Sequence, residues 1–308
     1  MKNTRANEIM NKMTAFENSK FTREEMLNEL FKLQTEMANI TFGEAFSEGR
    51  KFYDIANHYS DMNRENGRVS MEKMAEFRKE CSEATDLIRG LISGRKGENR
   101  TFEKLNYLIS AHGLRKNIEI GNENLKTEID ALVVTEKAAF IIEVKNTKRD
   151  IFIDENGQYF RTGEYLNWDS DIGSKLALRE AFVRNVAEKA GIDNLKIVKI
   201  VVFTDNRIRV QNRCRSIVTC FLNQLTSVID AYKGEKCIAL NDIDSLMKSI
   251  DEMTTITRYA PRFDFEKFKV DFSEIVAAMD YPEDDEIKTI GWKTWREFFS
   301  SLTLGRAS

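Results

Sequence analysis

EIDALVVTEKAAFIIEVK, residues 128–145, is the stretch that decides the fold. Two runs of apolar and β-branched residues flank a polar pair, Glu136-Lys137, and this pattern predicts a β-hairpin. Both faces of the two runs are apolar except at the end away from the turn. We therefore expect an interior hairpin that is covered on both sides.

The position of the turn determines which residues of the hairpin face each other. Antiparallel pairing around that turn places Asp130 opposite Glu143 and Glu128 opposite Lys145. Because side chains alternate along a strand, all four project from one face, with opposed Cβ atoms about 5 Å apart. A one-residue bulge would break this register.

Two carboxylates in a partly buried corner repel each other unless a cation compensates them. The four cysteines show no CxxC spacing and the chain has only two histidines, so oxygen ligands and Mg²⁺ or Mn²⁺ are expected rather than zinc. Such an ion polarises a phosphate oxygen and lowers the pKa of a bound water, which Lys145 could orient or deprotonate. In the alternative interpretation, Glu128 and Lys145 form only a cross-strand salt bridge at a sheet end.

These strands, together with Gly97-Glu98 at the expected start of a helix and the Asn146 that follows Lys145, resemble the NERD (nuclease-related) domain. That domain is a branch of the PD-(D/E)xK restriction-endonuclease-like superfamily. The resemblance covers roughly residues 94–230. It implies an α/β fold with a restriction-endonuclease-like mixed β-sheet core flanked by helices.

The resemblance also implies roles for individual residues. Asp130 and Glu143 correspond to metal ligands, Lys145 to the catalytic lysine, and Glu98 to a further catalytic and metal-binding carboxylate. Glu128 is an additional candidate at the same sheet end. The implied activity is Mg²⁺- or Mn²⁺-dependent hydrolysis of nucleic-acid phosphodiester bonds, with DNA favoured over RNA.

Four basic residues are candidates for nucleic-acid binding. The family often carries a glutamine on the helix after the ExK strand, where this chain offers Lys175 and Arg179 one turn apart. Lys175 could contact a phosphate or lie on a solvated helix face. Arg207 and Arg209 would share a face if their segment is a strand, and would either bind the backbone or guard a solvated edge strand.

The N-terminal third of the chain predicts helices that pack lengthwise. A capping box at Thr22 and Glu25 predicts a helix start near residue 22, and the polar run from Asp61 to Gly67 predicts a helix connection. Two segments with heptad spacing suggest an antiparallel coiled hairpin, two helices of an ordinary bundle, or a surface for a homodimer or a partner protein. The two seams consist of Met26, Leu30, Leu33, Met37 and Ile40, and of Met74, Phe77, Cys81, Ala84, Ile88 and Leu91.

Elsewhere the pattern predicts a mixed α/β region followed by helices. Strands are expected at residues 117–120, 127–135, 139–146, 151–153 and 197–204, and helices at residues 173–190, 216–232 and 241–253. We therefore divide the chain into a helical module (residues 1–93), a nuclease-like domain (residues 94–232) and an acidic helical C-terminal extension (residues 233–308). The acidic segment 282–288 contains the letters of a PD-(D/E)xK motif but lacks flanking strands, which indicates an exposed turn.

Composition narrows the class of protein. A formal net charge of −3 argues against coating nucleic acid nonspecifically, although it permits a local basic surface. The sequence has no apolar run of membrane-spanning length and no signal-like start, so a cytoplasmic protein without a membrane partner is expected. Two functions compete with a nuclease: a nuclease-derived module that binds nucleic acid or regulates without cutting, and a helical interaction protein.

Overall fold

The computed structural model describes residues 2–13, 21–121, 125–255 and 263–280. These residues group into two compact units. The first contains the described residues up to 13, the segment Glu24–Ile88 and residues 263–280. The second contains Phe21–Arg23 and the described residues from Arg89 to 255.

The described segments contain eight α-helices, two short 3-10 helices and nine strands. The helices are α1 (Lys2–Met10), α2 (Arg23–Phe42), α3 (Phe52–Asn66), α4 (Met71–Leu105), α5 (Ile172–Lys189), α6 (Leu225–Asp230), α7 (Leu240–Met253) and α8 (Phe265–Met279), with 3-10 turns at Glu44–Phe46 and Leu222–Gln224. The strands are β1 (Gly113–Gly121), β2 (Lys126–Val134), β3 (Ala139–Lys145), β4 (Ile151–Ile153), β5 (Gln158–Arg161), β6 (Asn167–Asp171), β7 (Ile197–Phe203), β8 (Val210–Asn212) and β9 (Val218–Phe221). None of these helices combines the length and apolar character that a membrane span requires.

The first unit is helical, as predicted, but its packing differs from a two-helix hairpin. Helix α2 begins at Arg23, which confirms the predicted start near residue 22. The seam of α4 faces α8, because the ring of Phe77 lies 5.9 Å from that of Phe268 and 6.1 Å from that of Phe272. Heptad spacing shows that a helix packs lengthwise, but it does not identify the partner helix.

The helix connection predicted for the polar run from Asp61 to Gly67 begins only at the last residue of that run. Helix α3 continues to Asn66 and ends at Gly67, whose φ of 64° is the left-handed cap conformation that glycine adopts easily. The Asn63 side chain accepts a hydrogen bond from Val69 N and donates one to Val69 O, each at 2.8 Å. Polar side chains near the end of a helix can therefore bind the backbone of the segment that follows. In the sequence, such a polar run resembles a loop.

The second unit is built on a five-stranded sheet with the order β1-β2-β3-β7-β9. Strands β1, β2 and β3 run antiparallel, whereas β3, β7 and β9 are parallel. The predicted hairpin register is confirmed from Val134 opposite Ala139 to Ala131 opposite Ile142. Helix α5 lies in the connection between β3 and β7, as a parallel pair requires.

The hairpin is covered on both sides, as predicted. One face, including Leu132 and Ile141, packs in a cluster with Leu176 of α5 and Leu246 of α7. The other face packs with the end of α4 and with α6, in the cluster of Phe102, Leu105, Ala131, Val133, Phe140, Ile142, Leu225 and Ile229. Burial of each large apolar side chain stabilises the fold by at most about 1.5–3 kcal/mol. The hairpin is therefore the apolar centre of this unit.

A second sheet, with the order β6-β5-β4-β8, was only partly predicted. Strand β4 was expected, but β5 and β6 were not, and Arg207 and Arg209 precede β8 instead of lying in a strand. The helix predicted at 216–232 is wrong at its start, where β9 and a 3-10 turn precede α6. Strands of three to five residues show too little alternation to be recognised by periodicity.

The structure also divides the chain differently from the proposed boundaries at residues 93 and 232. Helix α4 continues without interruption through Gly94 and Gly97, so Glu98 lies within the helix and does not open one. Helix α7 belongs to the second unit and α8 to the first, so residues 233–280 do not form one extension. Periodicity identifies helices but not the surface on which each packs. The acidic segment 282–288 lies outside the described residues.

We predict that Gly97→Ala destabilises the protein by about 1–3 kcal/mol because it overpacks the contact between α4 and β3. A Cβ at Gly97 would lie 2.8 Å from Asn146 Cβ and 3.5 Å from Val144 Cγ1. Gly90, on the same helix, has nothing within 4 Å of such a Cβ. Gly90→Ala is therefore the matched control and should be neutral or stabilise by up to ~1 kcal/mol. Urea unfolding measures both, and equal midpoints for the two variants would contradict this packing.

Candidate active site

The two hairpin strands separate at Asp130. Their paired residues end at Ala131 and Ile142, and beyond them the Asp130 carboxylate accepts a 2.7 Å hydrogen bond from Val144 N. The register on either side places Asn117 of β1 across from Asp130, and Asn117 has a φ of 50°. A left-handed asparagine interrupts the pleat here. The carboxylate thus takes the place of a backbone partner and is held where β2 and β3 separate.

Glu143 is buried between two cations. Lys145 Nζ lies 2.5 Å from Glu143 Oε1, and Arg179 of α5 donates to Oε2. Burial alone would raise the pKa of Glu143, but Lys145 and Arg179 outweigh it and lower that pKa to about 2. Glu143 is therefore ionised at neutral pH, with both oxygens engaged.

Asp130 is the carboxylate that lacks such compensation. It is 6% exposed, and burial together with the nearby charge of Glu143 raises its pKa to about 8. A raised pKa means that the ionised form is unfavourable without a further cation. The repulsion predicted for the two carboxylates is consistent with this shift.

Arg23, a residue that the sequence interpretation missed, neutralises the outer carboxylates. Its guanidinium donates to Glu98 and lies 2.8 Å from Glu128 Oε2. Glu128 pairs in register with Glu119 of β1, and its ion pair is with Arg23. Arg23 lies between Thr22 and Glu25 of the predicted capping box, where no local pattern points to a site 75 residues away.

The charged side chains around Asp130 and Glu143 indicate what kind of ion could bind there. Four carboxylates (Glu98, Glu128, Asp130, Glu143) stand with three cations (Arg23, Lys145, Arg179), which leaves one excess negative charge when all are ionised. The donors are all oxygens, which suit Mg²⁺ or Mn²⁺. Asp130 and Glu143 could hold one such ion. Glu98 is paired with Arg23, and among the described residues it does not form a group with Asp130 and Glu143 whose ligand atoms lie within 4.8 Å of one another.

The end of β3 is fixed by Asn146, and Tyr159 lies beside Lys145. Asn146 Nδ2 donates to Ser93 O of α4 at 2.7 Å, and Thr204 Oγ1 donates to Asn146 Oδ1 at 2.6 Å. The Lys145 ammonium lies 5.8 Å from the ring centroid of Tyr159, and burial raises the pKa of that phenol. Lys145 keeps 24% of its side chain exposed, so it remains accessible to solvent and to a substrate.

The predicted nucleic-acid-binding residues have different environments. Arg179 is buried against Glu143, so it does not lie on a solvated helix face, whereas Lys175 is exposed. Arg207 is exposed and pairs with Asp205 at 2.5 Å, and Arg209 is exposed just before β8. Lys175 and these two arginines remain accessible to a ligand.

Another group of carboxylates occurs in the first unit. Ligand atoms of Glu76, Glu80 and Asp271 lie within 4.8 Å of one another. Lys267 Nζ lies 2.8 Å from Glu76 and 2.7 Å from Asp271, and donates to Glu80 as well. A lysine cation thus already balances this cluster, which is separate from the residues singled out by the sequence.

Comparison with known proteins identifies one family. Residues 93–204 match the family model described as NERD, nuclease-related domain. No curated protein and no solved structure matches the chain significantly. The matched range contains Glu98, Asp130, Glu143, Lys145 and Arg179, whereas Arg23, Arg207 and Arg209 lie outside it. The resemblance inferred from the sequence is confirmed.

We predict that Asp130→Asn stabilises the metal-free protein increasingly as pH rises. The folded state holds the Asp130 proton up to a pKa of about 8, whereas the unfolded chain releases it near 3.8, so wild-type stability falls between those values. Asparagine does not titrate. Its advantage should grow by at most roughly 1.4 kcal/mol per pH unit. Thermal midpoints at about pH 6 and about pH 8 in EDTA test this, and an advantage that does not change with pH would contradict it.

We predict that Arg23→Met increases the affinity of the protein for Mn²⁺ about tenfold, because it removes a cation from the carboxylate group. Arg115→Met is the matched control, since Arg115 pairs with Asp251 at 2.6 Å away from these carboxylates. Calorimetric Mn²⁺ titration of both variants measures the effect. Equal affinities in the two variants would show that Arg23 does not compete with a metal ion.

Proposed function

Because residues 93–204 match the nuclease-related domain family, we propose that this protein is a Mg²⁺- or Mn²⁺-dependent nuclease that hydrolyses phosphodiester bonds, with DNA favoured over RNA as substrate. The observation that carries the proposal is the buried pair Asp130 and Glu143 with Lys145 beside it. Asp130 has a raised pKa, which a divalent cation would reverse. The preference for DNA rests on the family resemblance alone.

Asp130 and Glu143 hold the ion in this proposal, and Glu98 is the third ligand once Arg23 has moved away. The ion supplies a polarised phosphate oxygen and a more acidic bound water. Asp130 is held by Val144 N and Glu143 by Arg179, so both carboxylates are oriented before any ion arrives. Such preorganisation lowers the cost of assembling the site.

Lys145 acts on the attacking water and on the phosphate. Its ammonium is within hydrogen-bond distance of Glu143, so a water held beside Glu143 lies within its reach. There Lys145 orients the water toward phosphorus, and its charge stabilises the negative charge that builds up on the phosphate oxygens. The water passes its proton to bulk solvent as the new P–O bond forms. The bond from phosphorus to the leaving oxygen breaks, and that oxygen takes up a proton from solvent to give the alcohol.

Arg179 is a positioning residue in this proposal. It occupies the helix where the family often has a glutamine, and its guanidinium fixes the Glu143 oxygen that Lys145 does not contact. Because the Arg179 side chain is buried, we do not propose that it contacts the nucleic-acid backbone. Lys175, Arg207 and Arg209 are the exposed residues that we propose contact phosphates.

A second candidate function is a nuclease-like module that binds nucleic acid without cutting it. One observation favours it: cations of the chain already engage Glu143 and Glu98, as would suit a site that needs no metal. The raised pKa of Asp130 argues against it, because a site adapted to work without metal has no need of a second buried carboxylate. Cleavage assays distinguish the two.

We predict that Lys145→Met abolishes cleavage without lowering Mn²⁺ affinity, because lysine is not a ligand. Asp130→Asn and Glu143→Gln should abolish cleavage and weaken Mn²⁺ binding together, because each removes a charged ligand. Lys137→Met is the matched control: Lys137 lies at the turn of the same hairpin, with its ammonium 3.1 Å from Tyr232 O. That variant should cut normally.

The measurement is incubation of purified protein with plasmid, linear DNA and RNA in Mg²⁺, Mn²⁺ or EDTA, beside calorimetric Mn²⁺ titration. Cleavage by wild-type protein that EDTA abolishes supports a nuclease. Wild-type cleavage rates in Lys145→Met would show that the site assignment is wrong. Binding of nucleic acid without cleavage under any condition would favour the second candidate.

A further inference from the structure

A row of aromatic side chains crosses the four-stranded sheet. In register, Trp168 of β6 lies beside Phe160 of β5, Phe160 beside Phe152 of β4, and Phe152 beside Gln211 of β8. The ring centroids of Phe152 and Phe160 are 5.9 Å apart. We call Trp168, Phe160 and Phe152 the aromatic row. Three aromatic residues at one level of a small sheet form a continuous apolar surface.

The aromatic row lies on the outer face of this sheet. The neighbouring residues Ile151, Ile153 and Tyr159 are buried in the core cluster, and side chains alternate along a strand. Trp168 is 62% exposed, and both phenylalanines are partly exposed. An exposed aromatic surface of this kind is unusual unless it binds something.

The indole of Trp168 is held in place although it is exposed. Its Nε1 donates a 2.7 Å hydrogen bond to Gln158 Oε1 on the adjacent strand. Because this hydrogen bond already restricts the indole, the ring loses little further conformational entropy when a planar group stacks on its face. This arrangement suits stacking better than a mobile surface tryptophan would.

Arginines border the other edge of the same face. Ile151 N donates to Arg209 O and Arg213 N donates to Ile153 O, which continues the alternation of β8 and puts both arginines on the side of Gln211. The Arg213 guanidinium lies 5.3 Å from the centroid of Phe152 and 3.4 Å from Glu155. A cationic edge beside aromatic rings is complementary to phosphates that accompany stacked bases.

We propose that this outer face binds single-stranded nucleic acid, with unpaired bases stacked on the aromatic row and the backbone along Arg209 and Arg213. Bases in a duplex stack on each other and cannot offer their faces to a sheet, so the surface selects unpaired segments. An apolar protein partner would gain little from the two arginines. The proposal rests on the proposed nucleic-acid substrate, but it needs no cleavage.

The aromatic row also connects with the candidate active site through β5. Tyr159 on the inner face of β5 contacts Lys145, whereas Phe160, the next residue, lies in the outer row. The aromatic row and Lys145 therefore lie on opposite faces of β5, beside consecutive residues of that strand. The substrate class that fits this geometry is a nucleic acid with an unpaired segment.

The test is fluorescence anisotropy of the full-length protein with a labelled single strand of about 20 nucleotides, and with its duplex, in EDTA. Trp168→Ala should weaken single-strand binding about tenfold and change duplex binding less than about twofold. Trp168→Phe should retain most of the affinity. Tyr165→Ala is the matched control, since Tyr165 is 77% exposed in the same hairpin but outside the row. Arg213→Ala should lower the slope of log affinity against log salt by about one.

The outcomes separate this proposal from the nuclease. Unchanged single-strand affinity in Trp168→Ala, or equal losses in Trp168→Ala and Tyr165→Ala, would overturn the binding face. Failure of wild-type protein to bind the single strand would overturn it too. Trp168-dependent binding by a protein that never cuts would support the face and reject the nuclease. Circular dichroism and thermal midpoints ensure that the variants compared are folded.

Discussion

The charge balance around Asp130 and Glu143 is the constraint on which the rest of the nuclease-like unit depends. Two carboxylates are buried where the hairpin strands separate. Lys145 of β3 and Arg179 of α5 compensate Glu143, whereas burial and the charge of Glu143 raise the pKa of Asp130. Burying an uncompensated carboxylate costs several kcal/mol. Strand β3 and helix α5 must therefore both be held beside Glu143 whenever the protein is folded without metal.

Hydrophobic packing provides that positioning. The hairpin is buried on both faces, so α4, α5, α6 and α7 all pack on the same two strands. Gly97 lets α4 approach Asn146 closely, and Asn146 in turn ties the end of β3 to Ser93 and Thr204. The burial of apolar side chains offsets the free-energy cost of the buried carboxylates. A hairpin that is buried on both faces can therefore carry Asp130 and Glu143 where its strands separate.

The four-stranded sheet extends the site into a surface. Its inner face belongs to the same core as the hairpin, and one of its buried residues, Tyr159, contacts Lys145. Its outer face carries the aromatic row and two arginines. A single strand, β5, thus joins the candidate catalytic lysine to a candidate binding surface. Chemistry and substrate choice would then depend on the same short element.

The sequence by itself determined the hairpin, its register from Val134 opposite Ala139 to Ala131 opposite Ile142, and the candidates Asp130, Glu143 and Lys145, because alternation and turn position act between neighbours in the chain. The predicted pairs of Asp130 with Glu143 and of Glu128 with Lys145 lie beyond that register. Tertiary structure alone decided that Arg179 binds Glu143 and that Arg23 binds Glu98 and Glu128, contacts that span 36, 75 and 105 residues. It also decided that Trp168, Phe160 and Phe152 of the aromatic row lie beside one another. These residues belong to three short strands whose sequences show no periodicity. Local patterns specify which face of an element is apolar, whereas the partner of that face depends on how the whole chain packs.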